Sequence, residues 1–215
     1  MITIQGFTFG PFEENTYILY DESKECVIID PGCSNESERK EMIEFIKEEG
    51  LKPVKLLNTH CHIDHVLGNT FIANKYNLGL EIHKEDLAVL KSLPQVSHLY
   101  GLNAEESVDP VNFLNEGDKV IFGNSALGIF FTPGHSPGSI CFVSHDDKFV
   151  IGGDVLFHGS IGRTDLPGGD HETLLSSIRE KLFTLPDDFV VFPGHGQETN
   201  IDFEKKNNPF LTKTS

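Results

Sequence analysis

The chain has 215 residues, of which 38% are hydrophobic and 23% charged, a composition typical of a globular protein large enough for one sizeable core. Its formal net charge of −16 argues against nucleic acids or anionic membrane surfaces as partners. No stretch approaches 18 apolar residues, so the sequence predicts no membrane-spanning helix.

The predicted elements of the first half alternate between strands and helices. Apolar and β-branched runs predict strands at Ile2–Phe9, Thr16–Tyr20, Cys26–Ile29, Val54–Asn58 and Leu80–His83. Apolar residues at helical spacing predict helices at Asn35–Glu49, Leu67–Tyr76 and Glu85–Ser92. The first strand begins without a basic segment or a long apolar one, and the four cysteines show no CxxC spacing. We therefore expect no signal peptide and a cytoplasmic protein.

The second half is richer in predicted strands. After a less regular surface segment from Leu93 to Pro110, strands are predicted at Lys119–Phe122, Leu127–Phe131, Ser139–Val143, Phe149–Ile151 and Phe189–Phe192. A helix is predicted from Glu172 to Phe183 with Asp170 as its cap, and a polar tail follows Gln197. This order predicts an α/β protein with two similar halves whose sheets pack together, forming a single domain over residues 1–215.

The most informative motif is the run from Thr59 to His65, Thr-His-Cys-His-Ile-Asp-His, because four of its seven residues are strong metal ligands. His60 and His62 are two residues apart, so an extended backbone points both side chains the same way. Asp64 and His65 follow where the chain must leave the strand, and they can face a neighbouring point. Packing gives no reason to cluster three imidazoles and a carboxylate, so we expect ligands for two adjacent cations.

Three further candidate ligands come directly after predicted strands of the second half. They are His135 in the turn-rich run Thr132–Gly138, Asp154 after a pair of glycines, and His195 in Pro193–Gly196. Strands that run the same way place such residues on one rim of a sheet, where loops build sites. The predicted ligands are His60, His62, Asp64, His65, His135, Asp154 and His195, a set that suits metal-assisted hydrolysis at two ions.

Other polar residues near these motifs are weaker candidates. His158 lies near the Asp154 loop and is a candidate substrate contact. Arg163 is a candidate for binding an anionic substrate group, and a structural ion pair with Asp165 is the alternative. Alternation points Cys61 away from the metal ions, as a small core residue. Two residues near the start of the second strand are expected close to the site, Asn15 and Tyr17.

The run from His60 to His65, together with His135, Asp154 and His195, resembles the pattern of the metallo-β-lactamase superfamily over essentially the whole chain. The resemblance implies an αββα sandwich of two mixed sheets, with helices on the outer faces and a dinuclear site at one edge. It implies one ion held by His60, His62 and His135, and another held by Asp64, His65 and His195. Asp154 and a hydroxide would bridge the ions, for which zinc is the first candidate and iron or manganese are alternatives.

Within the superfamily, the pattern resembles the glyoxalase II group. Aspartate at position 154, where many β-lactamases carry cysteine, argues against antibiotic hydrolysis. The run Gly159–Asp170 resembles a short bacterial branch whose kin include persulfide dioxygenases. Twenty residues follow His195, whereas full-length glyoxalase II continues into a helical domain that helps to hold glutathione. The resemblance therefore leaves the thiol carrier open.

The leading hypothesis is a dinuclear metal hydrolase that cleaves a thioester or ester, such as S-lactoylglutathione, by attack of a metal-bridging hydroxide. Asp64 and Asp154 are the candidate catalytic residues. The expected partner is a small acyl-thiol, with no nucleic acid and no membrane. One alternative is an iron persulfide dioxygenase with a single ion on His60, His135 and Asp154. A second alternative is a non-enzymatic protein that uses the metal for binding or redox sensing.

Overall fold

Two six-stranded sheets form the middle of the protein in the computed structural model, which describes residues 1–102 and 104–212. The first sheet contains, in spatial order, β1 (Thr3–Phe9), β2 (Glu14–Tyr20), β3 (Glu25–Ile29), β4 (Lys52–Leu57), β5 (Leu80–Ile82) and β6 (Pro110–Phe113). The strands that follow are β7 (Lys119–Phe122), β8 (Ser125–Phe131), β9 (Ile140–Ser144), β10 (Phe149–Gly153), β11 (Leu156–Phe157), β12 (Ser160–Ile161), β13 (Val190–Pro193) and β14 (Thr199–Asn200). The second sheet has the order β14-β13-β10-β9-β8-β7, and β11 and β12 form a separate hairpin.

Both sheets are mixed. The strands from β3 to β6 pair in parallel, while β1, β2 and β3 are antiparallel neighbours. In the second sheet β10 and β13 form the parallel pair, and the other neighbours are antiparallel. The carboxyl ends of several strands therefore lie at a common edge, where the chain is free to build loops.

Helices cover the outer faces of the sheets. They are α1 (Glu36–Glu48), α2 (Ile63–Val66), α3 (Asn69–Tyr76), α4 (Leu87–Lys91), α5 (Leu93–Leu99), α6 (His171–Glu180) and α7 (Ile201–Asn207), with single 3₁₀ turns at Lys84–Asp86 and Leu182–Thr184. The side chain of Asn35 caps α1 by accepting from two backbone amides, and that of Asp170 caps α6 by accepting from the amide of Thr173. None of the helices among the described residues has the length and apolar character needed to cross a membrane.

The hydrophobic core is divided into three layers by the alternation of side chains along the strands. Val27 and Ile29 pack between the sheets, whereas Ile28 faces the layer beneath α1 and α3. In the second sheet Phe142 also lies between the sheets, and Val143 faces the layer that contains α6. A period of two thus gives each strand two buried faces. The predicted αββα sandwich is confirmed.

Several local expectations were wrong. The segment from Leu93 to Pro110, expected to be less regular, contains α5 and ends at the first residue of β6. Pro94 is compatible with α5 because it stands in the first turn, where a helix tolerates proline. The tail expected to be polar contains β14 and α7, and Asn200 caps α7 by accepting from the amide of Phe203. The helix expected to begin at Leu67 begins at Asn69, and the last three residues of the Thr59–His65 run belong to the short helix α2.

Asp21 joins the two sheets at the end of β2 opposite Glu14. Its carboxylate accepts from the amide and hydroxyl of Ser23, from the amide of Asn124 at 2.7 Å and from the hydroxyl of Ser125 at 2.8 Å. Burial alone would raise the pKa of Asp21, but these hydrogen bonds outweigh it and lower the pKa to about 2.

Asp21→Asn should therefore lower the free energy of unfolding by about 2 kcal/mol at pH 7, measured by urea titration of metal-free protein. The carboxylate's contribution is complete above about pH 3.9, the pKa of an unfolded aspartate, and is lost as pH falls towards the folded value. The difference in the free energy of unfolding between the unsubstituted protein and Asp21→Asn should hence be smaller at pH 3 than at pH 7. The control is Asp109→Asn, at an exposed ion pair with Lys91, which should change stability by less than about 0.5 kcal/mol. An equal loss in both variants would contradict the role of Asp21.

Candidate metal centre

Three histidine rings from both halves of the chain converge at the sheet edge. His60 and His62 follow β4, and His135 lies in the turn between β8 and β9. His135 Nε2 lies 2.8 Å from His62 Nδ1 and 3.2 Å from His60 Nε2. Burial, reinforced by the neighbouring rings, lowers the pKa of His62 to about 3 and that of His60 well below its usual value. The rings of His60 and His62 are therefore held neutral, which is the form that binds metal ions.

The hydrogen bonds behind these rings fix their tautomers. His135 Nδ1 donates to the carbonyl of Arg163 at 2.7 Å, which selects the tautomer whose lone pair is on Nε2. The hydroxyl of Thr59 donates to Asp30, so its oxygen is left to accept from His60 Nδ1. His60 Nε2 and His135 Nε2 consequently face each other with lone pairs, an arrangement that a cation between them would relieve.

A second group of candidate ligands lies beside the first. Asp64 and His65 belong to α2, and His195 follows β13. Asp64 Oδ2 lies 3.0 Å from His195 Nε2 and 3.8 Å from His65 Nε2. Burial alone would lower the pKa of His65, but the carboxylates of Asp64 and Asp154 raise it well above its usual value. This surplus of negative charge favours a cation at the second group.

Asp154 stands between the two groups. Its Oδ2 lies 3.4 Å from His135 Nε2 and 3.5 Å from His195 Nε2, and its Oδ1 lies 3.4 Å from His65 Nε2. Asp154 Oδ1 and His65 Nε2 are buried without a hydrogen-bond partner among the described residues. Such orphaned atoms are costly unless a ligand satisfies them, and both atoms are of the type that binds divalent transition metals. The residues present therefore fit a pair of metal ions.

Two glycines allow this close approach. Gly153 has a φ of +50°, and a Cβ there would lie 2.4 Å from Thr59 Oγ1. A Cβ at Gly194 would lie 2.2 Å from Asp154 Oδ1. Any side chain at either position would displace a candidate ligand or the residue behind it, which explains glycine before Asp154 and before His195.

Asp30 supports the motif from behind and was not singled out in the sequence. Its carboxylate accepts from the amide and hydroxyl of Thr59, and His65 Nδ1 donates to it at 3.1 Å. Glu14 Oε1 lies 3.8 Å from the same nitrogen, and burial raises the pKa of Glu14 well above its usual value. Asp30 follows β3 directly and precedes Pro-Gly, so the rule that selected the other strand-end residues could have found it.

Asp86 links the two loops that carry the first histidine group. Its Oδ2 accepts from the amide of Cys61, and its Oδ1 accepts from the hydroxyl of Ser136 and the amide of Gly138, each at 2.6 Å. Burial raises the pKa of Asp86, although these three hydrogen bonds favour the charged form. Nothing in the local sequence indicates this role, because Asp86 lies in a 3₁₀ turn that resembles any short polar helix start.

Asn15 and Tyr17 lie close to the site, as expected, but they act on the backbone. Asn15 Nδ2 donates to the carbonyls of Pro193 and Gly196, and the Tyr17 hydroxyl donates to that of Pro193 at 2.7 Å. His195 Nδ1 in turn lies 3.1 Å from the carbonyl of Phe12. These contacts hold the loop after β13 against β2 and so position His195.

The two residues expected to contact substrate have different surroundings. The Arg163 side chain lines the cavity in front of the candidate ligands and forms a two-fold contact with Asp165, with both nitrogen–oxygen distances at 2.7 Å. His158 is exposed and stacks on Phe203 of α7, with ring centroids 4.5 Å apart. His158 is not among the described residues that line the cavity, and its contact with substrate stays a prediction. Cys61 is buried in the core, as expected.

The cavity in front of the candidate ligands has a volume of about 760 Å³. Its inner end is formed by His62, Asp64, His135, Asp154 and His195, and the rest is lined mainly by apolar residues. This volume lies within the range of pockets that bind small molecules. The structure brings together all seven candidate ligands at the inner end of this cavity or directly behind it; their role in binding metal stays a prediction.

Comparison with known proteins gives a consistent result. The family model described as "Metallo-beta-lactamase superfamily" matches residues 9–195. The chain is 42% identical over 205 residues to "Probable metallo-hydrolase YqgX" of Bacillus subtilis, covering 94% of each chain. It is 41% identical over 208 residues to "Hydroxyacylglutathione hydrolase GloC" of Haemophilus influenzae, covering 95% of each.

Solved structures show the same architecture. The crystal structure of BLEG-1 B3 metallo-beta-lactamase superposes with a TM-score of 0.89 at 36% identity, covering 98% of this chain and all of that one. The structure of TTHA1623 in a di-iron-bound form superposes with a TM-score of 0.86 at 35% identity, covering 96% of this chain and 100% of that one.

Proposed function

Since this chain belongs to the metallo-β-lactamase superfamily, we propose that it is a dinuclear metal hydrolase that cleaves the thioester bond of a small acyl-thiol such as S-lactoylglutathione. One observation carries the proposal: two groups of three ligand-type residues flank Asp154 at the inner end of a cavity. The relative named hydroxyacylglutathione hydrolase supports the thioester as the bond that is cleaved.

In this proposal His60, His62 and His135 would hold one ion, Asp64, His65 and His195 would hold the other, and Asp154 would contribute to both. Bound divalent ions lower the pKa of a water ligand and polarise a carbonyl oxygen. The cavity walls would hold the substrate with its acyl carbon towards the inner end. Asp64, which lines the cavity with its Oδ2 3.0 Å from His195 Nε2, would orient the nucleophile or accept its proton. A thiolate is a good leaving group, so no separate general acid is required.

The test is metal analysis of protein purified without added metal, followed by assays after loading with Zn²⁺, Mn²⁺ or Fe²⁺. We expect two ions per chain, hydrolysis of S-lactoylglutathione, and loss of activity with a chelator that returns on metal addition. Iron belongs in the panel because the similar TTHA1623 structure is a di-iron form.

Other outcomes would identify the alternatives. Oxygen consumption with glutathione persulfide at one iron per chain would replace the hydrolase with the dioxygenase. Hydrolysis of a β-lactam without hydrolysis of a thioester would contradict the proposal and indicate a β-lactamase, the function named for BLEG-1. Bound metal with no turnover on any of these substrates would favour the binding or sensing protein.

Arg163→Ala should raise the KM for an anionic acyl-thiol by about 5-fold more than that for a neutral one. The magnitude follows because an exposed charge pair contributes at most about 1 kcal/mol. Asp165→Asn is the matched control. It leaves the guanidinium of Arg163 in place and removes the negative charge that pairs with it, so the KM for the anionic substrate should not rise. Equal increases for both substrates in Arg163→Ala would show that the residue only stabilises the loop.

A further inference from the structure

One wall of the cavity is built from apolar side chains of α4 and α5. Ala88 and Val89 come from α4, and Leu93 and Val96 from α5. Leu93 is buried, while Val89 and Val96 are half-buried and pack against the core beneath them. Contacts with the core therefore fix the positions of these side chains. The atoms that face the cavity form a preformed apolar surface.

The apolar surface continues towards the candidate ligands. Phe12 packs edge-on against Tyr100, with ring centroids 5.3 Å apart, and both rings line the cavity. The carbonyl of Phe12 lies 3.1 Å from His195 Nδ1. Ile63, between His62 and Asp64 in the chain, lines the cavity as well. The cavity lining between α5 and the candidate ligands is therefore largely apolar.

Charge is scarce along the same cavity. Apart from the candidate ligands, Glu85 and Arg163 are the only charged side chains among the described residues that line it. Arg163 is already paired with Asp165, and Glu85 is acidic. A carrier with two carboxylates, such as glutathione, would find at most one cationic partner there, Arg163, for which Asp165 competes, and burying an unpaired charge is costly. An uncharged apolar group carries no such desolvation cost.

We propose that the α4–α5 wall binds an uncharged apolar chain of the substrate, so that the protein selects thioesters by the length of an aliphatic acyl group. This inference rests on the proposed function and names its substrate class. The reaction adds water across the C–S bond: a C–O bond forms at the acyl carbon, the C–S bond breaks, and the sulfur leaves as a thiol with the proton from water.

The first test is a series of acyl thioesters of N-acetylcysteamine, a small uncharged thiol, with acetyl, butanoyl, hexanoyl and octanoyl groups. We expect kcat/KM of the metal-loaded protein to rise by about 2- to 4-fold per methylene until the wall is covered, the upper value corresponding to full burial. A kcat/KM that is flat or falls from acetyl to hexanoyl would overturn the proposal.

Variants locate the effect on the wall. In the double variant Val89→Thr/Val96→Thr, which keeps side-chain volume but adds hydroxyls, the octanoyl-to-acetyl ratio of kcat/KM should fall by about 5-fold or more. The matched control is Val111→Thr on β6, at an exposed valine outside the cavity, which should leave the ratio unchanged. Equal ratios in the two variants would overturn the assignment to α4 and α5.

Binding separates this inference from the proposed function. Isothermal titration of metal-free and metal-loaded protein uses S-butyl, S-hexyl and S-octyl thioethers of N-acetylcysteamine, which cannot be hydrolysed. We expect Kd to decrease by about 2- to 4-fold per methylene with a negative heat-capacity change, and S-hexylglutathione to bind no more tightly than its uncharged counterpart. Binding that depends on the length of the alkyl chain, without turnover of any thioester, would contradict the proposed hydrolase activity and leave the apolar wall intact. Turnover of thioesters, with binding that does not depend on the length of the alkyl chain, would contradict the proposed role of the α4–α5 wall and leave the hydrolase activity intact.

Discussion

Replacing Asp154 with alanine is expected to reduce bound metal from two ions per chain to one or fewer, and to lower kcat on a thioester by about 10³-fold or more. The reason is geometric: its two carboxylate oxygens lie 3.4–3.5 Å from ring nitrogens of both ligand groups. Asp64 approaches only the rings of the second group, and Asp30 meets His65 at Nδ1, not at the Nε2 that faces Asp154. Removing Asp154 therefore removes the side chain that we expect to connect two bound ions.

Two measurements check this result: elemental analysis of the purified variant and its kcat after loading with excess metal. Asp154→Asn keeps the shape of the side chain but lacks the second anionic oxygen, so it should also retain at most one ion. The control is Asp188→Ala, at an exposed ion pair with Lys148, which should keep two ions and full activity. Two ions and unchanged turnover in Asp154→Ala would overturn the connecting role.

The grouping of the seven candidate ligands was predictable from the sequence because each lies in a loop or short helix that follows a strand. His60 follows β4, Asp154 follows β10, and His195 follows β13. β10 and β13 are parallel, so their carboxyl ends must lie at the same edge of the sheet. The amide of Ile140 donates to the carbonyl of Thr59 at 2.9 Å, which joins this edge to that of the first sheet. Strand order and chain direction therefore determine most of the site.

The supporting contacts could not be predicted, because their partners are distant in the chain. Asp86 binds groups 25, 50 and 52 residues away, and neither partner segment carries a local signal for it. His158 was placed near substrate by its closeness to Asp154 in sequence, but it stacks on a ring of α7, 45 residues further on. Side-chain direction in a turn depends on such packing, which no spacing rule supplies.

The burial of the Glu204 carboxylate could not be predicted either, because it depends on contacts with residues distant in the chain. It was part of a tail that composition marked as polar, yet it is fully buried and accepts from the amide of Gly159, the hydroxyl of Thr199 and the side chain of Asn208. Its contacts anchor α7 to the β11–β12 hairpin and reach none of the candidate ligands directly. Glu204 therefore provides a reference for what a buried carboxylate contributes to stability alone.

Replacing Asp86 with alanine is expected to weaken metal binding at the His60–His62–His135 group by about 10- to 100-fold and to lower the free energy of unfolding by about 3 kcal/mol. The substitution leaves the amides of Cys61 and Gly138 and the hydroxyl of Ser136 without their acceptor. These donors belong to the two loops that carry the histidines, so the loops lose their common anchor and the three rings lose their spacing.

Glu204→Ala separates positioning from stability, because it also removes a fully buried carboxylate with three donors. Both variants should lose a similar free energy of unfolding in urea, measured without metal. Competition with a chromogenic chelator should show weaker metal binding in Asp86→Ala and nearly unchanged affinity in Glu204→Ala. Asp86→Asn, which keeps one acceptor oxygen, should recover part of the affinity. An equal loss of metal affinity in the two alanine variants would show that Asp86 stabilises the fold without positioning the histidines.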